Sequence, residues 1–459
     1  MKILLTHLYF LEEDKAEQKI MKPYPPMGLL YIAAFAEKNN IKTEIIDNTF
    51  SNKTEFKKQL NNLKPDVLGV YLNFKTRRNF IEISKYIRNN ENLKNTKIII
   101  GGPDVKYNAE KYILHNADIM VIGEGEKTFV DIIKSDFKIN NIPNIAYFDK
   151  IDNKIKLTEE SNFLDINELP NPTRNKIDIN KYLKVWKEFH GYNSIAISTM
   201  RGCPFSCKWC SKAVFGKSYR RRNVKSAVNE IVGLKNTYEF DYIWFVDDVF
   251  TIDKKWLNEF NQELKNENLK IKYECISRAD KLDNETIDLL EKTGCYKIWI
   301  GAESGSQKIL DAMDRRVKIE QVIDAINYCK QKNIETGTFI MFGYPKEKIK
   351  DINLTIKYLK KAKPDSVLTT NTYPIIGTDL FNQIKEKIFN FDWENVADAD
   401  LIFEKPYSNK FYSYANAKLH AEVNLSKLAL KKYFSKKGII LIIKSIYYRF
   451  KMIKEKYAN

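Results

Sequence analysis

Three of the six cysteines in this 459-residue chain crowd into eight consecutive positions. They are Cys203, Cys207 and Cys210, spaced C-x3-C-x2-C within the segment S-T-M-R-G-C-P-F-S-C-K-W-C. Thiolates are soft ligands that select zinc, copper(I) or iron–sulfur clusters. The triplet directly follows a strand-like stretch at 194–199, and α/β barrels place their chemistry in the loops after such strands. The spacing therefore predicts a metal centre at the end of a barrel strand.

Three kinds of chemistry compete for this triplet. A structural zinc site needs four closed ligands, yet the nearest histidine is His190 and no second cysteine pair follows at knuckle or ribbon spacing. Disulfides would leave one thiol over and are out of place in a reducing cytosol. A 4Fe–4S cluster held by three cysteines would leave one iron open to the amine and carboxylate of a substrate. Ligand number and position together favour the cluster.

The segments around the triplet predict an α/β protein of several parts. Residues 1–135 alternate five short apolar strands with amphipathic helices, which predicts a doubly wound, five-stranded parallel sheet of Rossmann-like type. Residues 136–190 form a connector with a hairpin-like piece at 144–156. Six further βα units in residues 191–380 predict a partial (β/α)6 barrel. Residues 381–459 form a helical, basic C-terminal region.

The triplet, with the aromatic Trp209 before its last cysteine, resembles the signature of the radical S-adenosylmethionine (SAM) superfamily. The domain order resembles the cobalamin-binding branch, which includes C-methyltransferases and the anaerobic magnesium-protoporphyrin ester cyclase. The resemblance implies a 4Fe–4S cluster on Cys203, Cys207 and Cys210 whose fourth iron chelates SAM. The reduced cluster would cleave SAM to methionine and a 5′-deoxyadenosyl radical, which attacks an unactivated substrate carbon. With cobalamin, methyl transfer to that carbon is the expected outcome, and the alternative is an oxidative cyclase or rearrangement enzyme whose cobalamin domain is empty.

The resemblance also implies the residues that contact SAM. The acidic pair after the second barrel strand matches the acids near the SAM amino group, and G-A-E-S-G-S places its Glu where the family contacts the ribose hydroxyls. Each residue has a structural alternative: a helix cap for the acidic pair, a carboxylate partner for the Arg, a surface turn for the Glu. The implied SAM residues are Trp209, Asp247, Asp248, Arg278, Glu303 and Ser304.

Glycines at strand-to-helix turns of the N-terminal region match the cobalamin-binding branch. They occur in Y-P-P-M-G, G-G-P and G-E-G-E, where a missing side chain lets the backbone approach a bulky ligand. G-E-G-E-K-T fits neither a dinucleotide fingerprint nor a P-loop. The D-x-H-x-x-G signature is absent, so cobalamin would bind without a protein His ligand, and a flavodoxin-like domain with no ligand is the alternative. The implied cobalamin residues are Pro26, Gly28, Gly101, Gly102, Gly123 and Glu124.

Charge and composition bear on partners and location. The net charge of +17 is spread along the chain, which is typical of solvated faces rather than of a nucleic-acid surface. The run Arg220–Arg222 nevertheless leaves a zinc-containing nucleic-acid-binding protein as an alternative of another class. A methylthiotransferase is disfavoured because no cysteine precedes Cys203 to hold a further cluster. The expected partners are a small-molecule or lipid substrate and a one-electron donor such as flavodoxin or ferredoxin.

The C-terminal stretch 424–457 is lysine-rich and helical in pattern. It is expected either to cap the barrel or to rest as a basic amphipathic segment on an anionic membrane. No run of 18 apolar residues and no secretory segment is evident. We therefore expect a cytoplasmic protein, with contact to the inner membrane face as the further possibility.

Overall fold

The computed structural model describes residues 1–396, 400–429 and 432–456. Its N-terminal part is a seven-stranded sheet in the order β2-β1-β3-β4-β5-β6-β7. The first five strands in that order pair in parallel with their neighbours. The order 2-1-3-4-5 is that of the doubly wound, flavodoxin-like fold. Central strands are mostly apolar because helices cover both faces. The elements are β1 (Ile3–His7), α1 (Lys15–Ile20), α2 (Met27–Lys38), β2 (Glu44–Ile46), α3 (Lys53–Leu63), β3 (Val67–Tyr71), α4 (Arg77–Arg88), β4 (Lys97–Gly101), α5 (Ala109–Leu114), β5 (Ile119–Val121), α6 (Glu126–Lys134), β6 (Ile145–Asp149) and β7 (Lys154–Leu157).

The edge of this sheet differs from the prediction of five strands ending at residue 135. The hairpin β6–β7 adds antiparallel to β5, so the sheet extends through Leu157 and the connector is shorter than predicted. Ile145 and Tyr147 of β6 are buried against Ile119 and Val121. The hairpin thereby covers a strand edge that would otherwise expose unpaired backbone groups.

The second part is an open six-stranded parallel barrel in the order β15-β14-β13-β12-β11-β8, as the six βα units predict. Helices follow the strands on the outer face and share one apolar core with them. Two short strands, β9 and β10, pair separately beside the barrel. The elements are α7 (Ile179–His190), β8 (Ser194–Ile197), β9 (Met200–Arg201), β10 (Arg220–Arg221), α8 (Val224–Thr237), β11 (Tyr242–Phe245), α9 (Lys254–Asn266), β12 (Tyr273–Ser277), α10 (Asn284–Thr293), β13 (Cys295–Glu303), α11 (Gln307–Ala312), α12 (Ile319–Gln331), β14 (Glu335–Phe342), α13 (Ile349–Ala362), β15 (Ser366–Asn371) and α14 (Asp379–Ile384).

The C-terminal region forms a pair of helices, α15 (Asn409–Ser426) and α16 (Lys436–Lys456). They run antiparallel, since Ser408 bonds to Glu455 at one end and Glu422 to Ser445 nearer the other. The predicted helical stretch 424–457 is therefore broken after residue 426. Most of the packing on the barrel core comes from α15, and α16 adds Met452 to it. No helix in the described ranges is long and apolar enough to cross a membrane.

Candidate functional site

A single cleft of about 320 Å³ lies between the carboxyl edge of the N-terminal sheet and the first strand ends of the barrel. This volume is within the range of small-molecule sites. The N-terminal domain contributes glycines and apolar side chains, and the barrel contributes the segment before the cysteines and the turn after β11. Residues predicted for two different ligands therefore meet in one place. Those lining the cleft are Gly28, Gly101, Gly102, Gly123 and Glu124 from one domain and Asp248 from the other.

The cysteine loop is closed at its base by a two-residue ladder. Met200 and Arg201 of β9 pair antiparallel with Arg221 and Arg220 of β10, which brings the two ends of the loop together. Gly202, directly before Cys203, has φ +83°, and a Cβ there would overlap the Ser218 side chain and lie 2.6 Å from its carbonyl oxygen. A glycine is therefore required for the chain to enter the loop.

Cys207 lies at the positive end of the cysteine loop. Arg278 Nη1 donates to Cys207 Sγ at 3.6 Å and Arg315 Nη1 at 3.7 Å. The Arg278 guanidinium also stacks on the Phe205 ring at 3.7 Å and bonds to Asp280 Oδ1 at 2.9 Å. Two guanidiniums therefore lie beside one sulfur of the triplet.

The thiols of the other two cysteines have raised pKa values. Burial raises the pKa of Cys203, and it raises the pKa of Cys210 to about 12, with Asp248 acting in the same direction. No three His, Cys, Asp or Glu side chains in the described ranges are grouped so as to hold one metal ion. An iron–sulfur cluster does not need its cysteines to meet at one ion, because each cysteine binds a separate iron. Three thiols on one loop, one of them flanked by cations, suit that donor set.

Asp247, one of the residues predicted to contact SAM, has several hydrogen-bond partners within the protein. It is fully buried, and its carboxylate accepts from Thr199 N at 2.7 Å, from Met200 N at 3.0 Å and from the Thr199 hydroxyl. Arg221 lies 3.8 Å from the same carboxylate. Asp247 therefore ties the end of β11 to the strand that leads into the cysteine loop. None of these contacts is a helix cap, since the N-cap of the following helix, α9, is Asp253.

Asp248 and Glu303 are the predicted acids that remain available to a ligand. Asp248 faces the cleft, where burial and the neighbouring Asp247 raise its pKa. Glu303 ends β13 at a register shift in the β13–β14 pair and has φ +64°, a strained conformation for a residue other than glycine. Burial raises the pKa of Glu303, although Arg315 and Arg278 act in the opposite direction. Strained, poorly compensated carboxylates are typical of ligand sites.

Two further residues predicted to contact SAM, Ser304 and Trp209, differ in their surroundings. Ser304 is buried in the turn after β13, where its hydroxyl contacts Thr355 Oγ1 at 3.3 Å and accepts from Ser306 N at 3.1 Å. Ser304 is therefore bonded into the turn. Trp209 is partly buried against the apolar cluster that contains Met313 and Tyr344.

Glycines supply the N-terminal wall of the cleft. A Cβ at Gly28 would meet only the Tyr71 ring, at 3.6 Å, so this position is open towards the cleft. Gly102 has φ +116°, and a Cβ there would overlap the Leu72 carbonyl oxygen. Pro26, the sixth predicted cobalamin residue, lies outside the cleft lining and instead precedes α2 as its N-cap. The glycine cradle suits a bulky ligand that must approach the backbone.

Glu124 lines the cleft and also forms ion pairs between the two domains. Arg201 Nη1 lies 2.9 Å from Glu124 Oε1, and Arg201 Nη2 lies 2.5 Å from Glu126 Oε1. Arg220 adds a third ion pair, 2.8 Å from Glu124 Oε2. We call these residues the interdomain charge cluster. Sequence reasoning did not single out Arg201 or Glu126, although Arg201 adjoins the cysteine motif and Glu126 belongs to the quoted G-E-G-E.

The arginine run does not form a nucleic-acid surface. Arg220 belongs to the interdomain charge cluster, and Arg221 stacks on Trp256 at 3.9 Å. Arg222 is buried against Glu230. All three guanidiniums are thus used inside the protein, which removes the main observation behind the zinc-containing nucleic-acid-binding alternative.

The fold and site together define a two-domain α/β protein in which two parallel sheets share one ligand cleft. A family model of the radical SAM superfamily matches residues 197–359, and a model of the B12 binding domain matches residues 18–133. The chain therefore carries a B12 binding domain ahead of a radical SAM domain. This confirms the predicted enzyme class and its cofactors: a 4Fe–4S cluster, SAM and cobalamin.

Relatives and solved structures agree with this assignment. The chain is 27% identical over 433 residues to an uncharacterised methyltransferase of Pyrococcus horikoshii, covering 91% of this chain and 92% of the relative. It is 24% identical over 413 residues to the anaerobic magnesium-protoporphyrin IX monomethyl ester cyclase of Rubrivivax gelatinosus, covering 86% and 72%.

Two solved structures share the fold. The cobalamin-dependent SAM radical enzyme OxsB, with aqua-cobalamin bound, superposes with a TM-score of 0.76 at 16% identity over 98% of this chain and 76% of that one. The radical SAM methyltransferase TsrM of Kitasatospora setae superposes with a TM-score of 0.68 at 17% identity, over 84% and 75%. At these identities the likeness is one of fold.

Proposed function

We propose that the protein is a cobalamin-dependent radical SAM methyltransferase that alkylates an unactivated carbon of a small molecule. The observation that carries this proposal is the shared cleft, where Gly28 and Gly101 of one sheet face Asp248 and Gly202 of the other. A methyl group passed between two cofactors needs both of them in one water-poor space.

The bound cofactors supply the chemistry that side chains lack: a one-electron cleavage of SAM and a methyl group carried by cobalamin. The protein's own part is to hold and orient them. Cys203, Cys207 and Cys210 would hold the cluster, with Arg278 and Arg315 fixing Cys207. The glycine wall would receive the corrin ring.

The SAM contacts follow from charge. A zwitterionic, ribose-bearing ligand needs an anion beside its ammonium group and acceptors beside its hydroxyls. We propose Asp248 for the ammonium group and Glu303 for the ribose hydroxyls, with Trp209 beside the cysteine loop. Asp247 and Ser304 are excluded from this set because internal partners already occupy their polar atoms.

The cluster must receive an electron from outside the chain. We propose a flavodoxin or a ferredoxin as the donor. The positive surface that a net charge of +17 provides would attract such an acidic partner and raise the association rate.

Methyl transfer is tested with SAM that carries an isotope label on its methyl group. Anaerobic protein, a chemical reductant and labelled SAM should give 5′-deoxyadenosine, and the label should move from SAM to cobalamin. Release of 5′-deoxyadenosine with no movement of the label would contradict methyl transfer and favour the second candidate, a radical cyclase. The similarity to the ester cyclase of Rubrivivax gelatinosus supports that candidate.

A further inference from the structure

The last helix of the chain, α16, presents an apolar face to solvent. On its inner side Gly438 and Met452 are buried, and Ser445 Oγ donates to Glu422 Oε1 of α15 at 3.1 Å. On the opposite side seven large apolar side chains are between 41% and 68% exposed. They are Ile439, Ile440, Ile443, Ile446, Tyr447, Phe450 and Ile453.

The spacing of these side chains makes a continuous stripe. Positions 439, 443, 446, 450 and 453 alternate steps of four and three, so they fall within about 80° of the helix surface at 3.6 residues per turn. The stripe runs for roughly 20 Å along the helix. Contiguous exposed apolar surface of this kind marks a binding face, whereas single exposed residues do not.

Cations flank the stripe on both sides. Residues 436–456 contain seven Lys and Arg side chains against the single acid Glu455, which is a net charge of +6. Lys444 and Lys451 lie along one border of the stripe and Arg449 along the other. Among the ion pairs of the described ranges none involves these three residues, so their charges are available to a partner.

We propose that α16 is an interfacial helix that lays its apolar stripe into an anionic lipid surface while the flanking cations contact the headgroups. An amphipathic helix with a basic polar face and aromatic and aliphatic residues on the other face has the composition that binds such surfaces. A second copy of the chain would bring two faces of charge +6 together, which like-charge repulsion opposes. A nucleic acid is also disfavoured, because the apolar stripe would lie at the centre of its contact with the helix.

Flotation of the full-length protein with lipid vesicles tests this inference. Vesicles of phosphatidylcholine with phosphatidylglycerol should carry the protein upward, and vesicles of phosphatidylcholine alone should bind about tenfold less of it. Raising the salt should weaken binding by screening the cations. Failure to float with anionic vesicles would overturn the proposal.

Substitutions locate the contact. The pair Ile443→Ser and Phe450→Ser should lower vesicle binding by at least about tenfold, because two large apolar groups no longer leave water. The matched control, Leu114→Ser with Ile151→Ser, changes side chains at least as exposed on the N-terminal domain and should bind as the wild type does. Unchanged binding by the α16 variant would overturn the proposal.

Two further measurements separate the competing explanations. Thermal unfolding should show that the α16 variant keeps its fold, since both positions are exposed. If light scattering shows a wild-type dimer that the same variant abolishes, the stripe is a contact between copies and the proposal is wrong. Cleavage of SAM in vesicle-free solution should be unchanged by the variant, so this test is independent of the proposed function.

Discussion

The two walls of the cleft are built on the same principle from opposite kinds of residue. Both are carboxyl edges of parallel sheets, the place where open α/β folds bind ligands. The N-terminal edge presents glycines among apolar side chains, so the backbone itself faces the cleft at several points. The barrel edge presents the charged side chains of Arg201 and Asp248 to the cleft, and the cysteine loop begins directly after Gly202.

This difference reflects what each wall has to hold. A large ring is accommodated by removing side chains, and a small charged ligand is held by adding them. The interdomain charge cluster joins the walls, since Arg201 stands one residue before Gly202 and pairs with Glu124 and Glu126 at the start of α6. A displacement of the N-terminal wall would therefore also displace the start of the cysteine loop.

The strongest test of the comparison removes the sulfurs. Changing Cys203, Cys207 and Cys210 together to Ala should abolish iron binding and SAM cleavage while cobalamin binding is kept. Iron analysis and 5′-deoxyadenosine production measure the first two, and cobalt content measures the third. Cleavage of SAM that survives in this variant would contradict the ligand assignment.

The reverse test fills the glycine wall. Gly28→Leu should lower cobalt content by about tenfold or more, because its side chain would extend into the cleft past the Tyr71 ring, and iron content should stay normal. Gly28→Ala is the matched control, since its Cβ makes only an ordinary contact of 3.6 Å. If Gly28→Leu loses iron and cobalt equally, the two walls are not separate sites.

The charge cluster between the walls is expected to contribute to stability. Arg201→Gln leaves Glu126 buried without its partner and should lower the free energy of unfolding by about 3 kcal/mol. The surface pair of Lys254 with Asp283 is the comparison, and Lys254→Gln should cost less than about 1 kcal/mol. Denaturant titration measures both, and equal costs would show that the cluster is no more than a surface network.

The last prediction concerns the pH dependence of stability, through a buried acid of the barrel. Burial raises the pKa of Glu347 from its ordinary value of 4.5 to about 8. Glu347 then binds more protons in the folded protein than in the unfolded chain between those values, so the stabilisation that this group contributes is full below pH 4.5 and is lost as pH rises towards 8. The slope contributed by this group is at most about 1.4 kcal/mol per pH unit.

Glu347→Gln should remove that contribution. The glutamine amide oxygen can still accept the bond from Gly343 N, which is 2.7 Å from Glu347 Oε2 in the wild type. Thermal melts at several pH values between 4.5 and 8 should therefore show a flatter profile for the variant. A variant profile that matches the wild type would show that Glu347 is ionised in the fold.

Much of the fold could be predicted because its signals are local. The alternation of strands and helices predicted for residues 1–135 and 191–380 is present, since apolar periodicity lies within each segment, as in Glu126–Lys134 and Asn284–Thr293. The hairpin β6–β7 was also visible as a hairpin, but its pairing with β5 depends on a distant edge. The break before α16 was missed because both flanking stretches are helical in pattern.

The site was harder to predict because its bonds connect distant parts of the chain. The cysteine triplet is a local motif, so it could be found without knowing which distant residues contact it. Asp247 bonds to Thr199, 48 residues away, and Arg201 bonds to Glu124, 77 residues away. One sequence contains no signal that links such pairs, so the acids that hold the protein together could not be separated from those that face the cleft.

The most direct test of the two-wall account is the elemental content and visible spectrum of the anaerobically purified wild-type protein. The account predicts about four irons and about four sulfides per chain together with a comparable molar amount of cobalt, and a spectrum that contains both an iron–sulfur and a corrin component. Zinc in place of iron and sulfide, or iron–sulfur protein that takes up no cobalamin when it is supplied, would contradict the account.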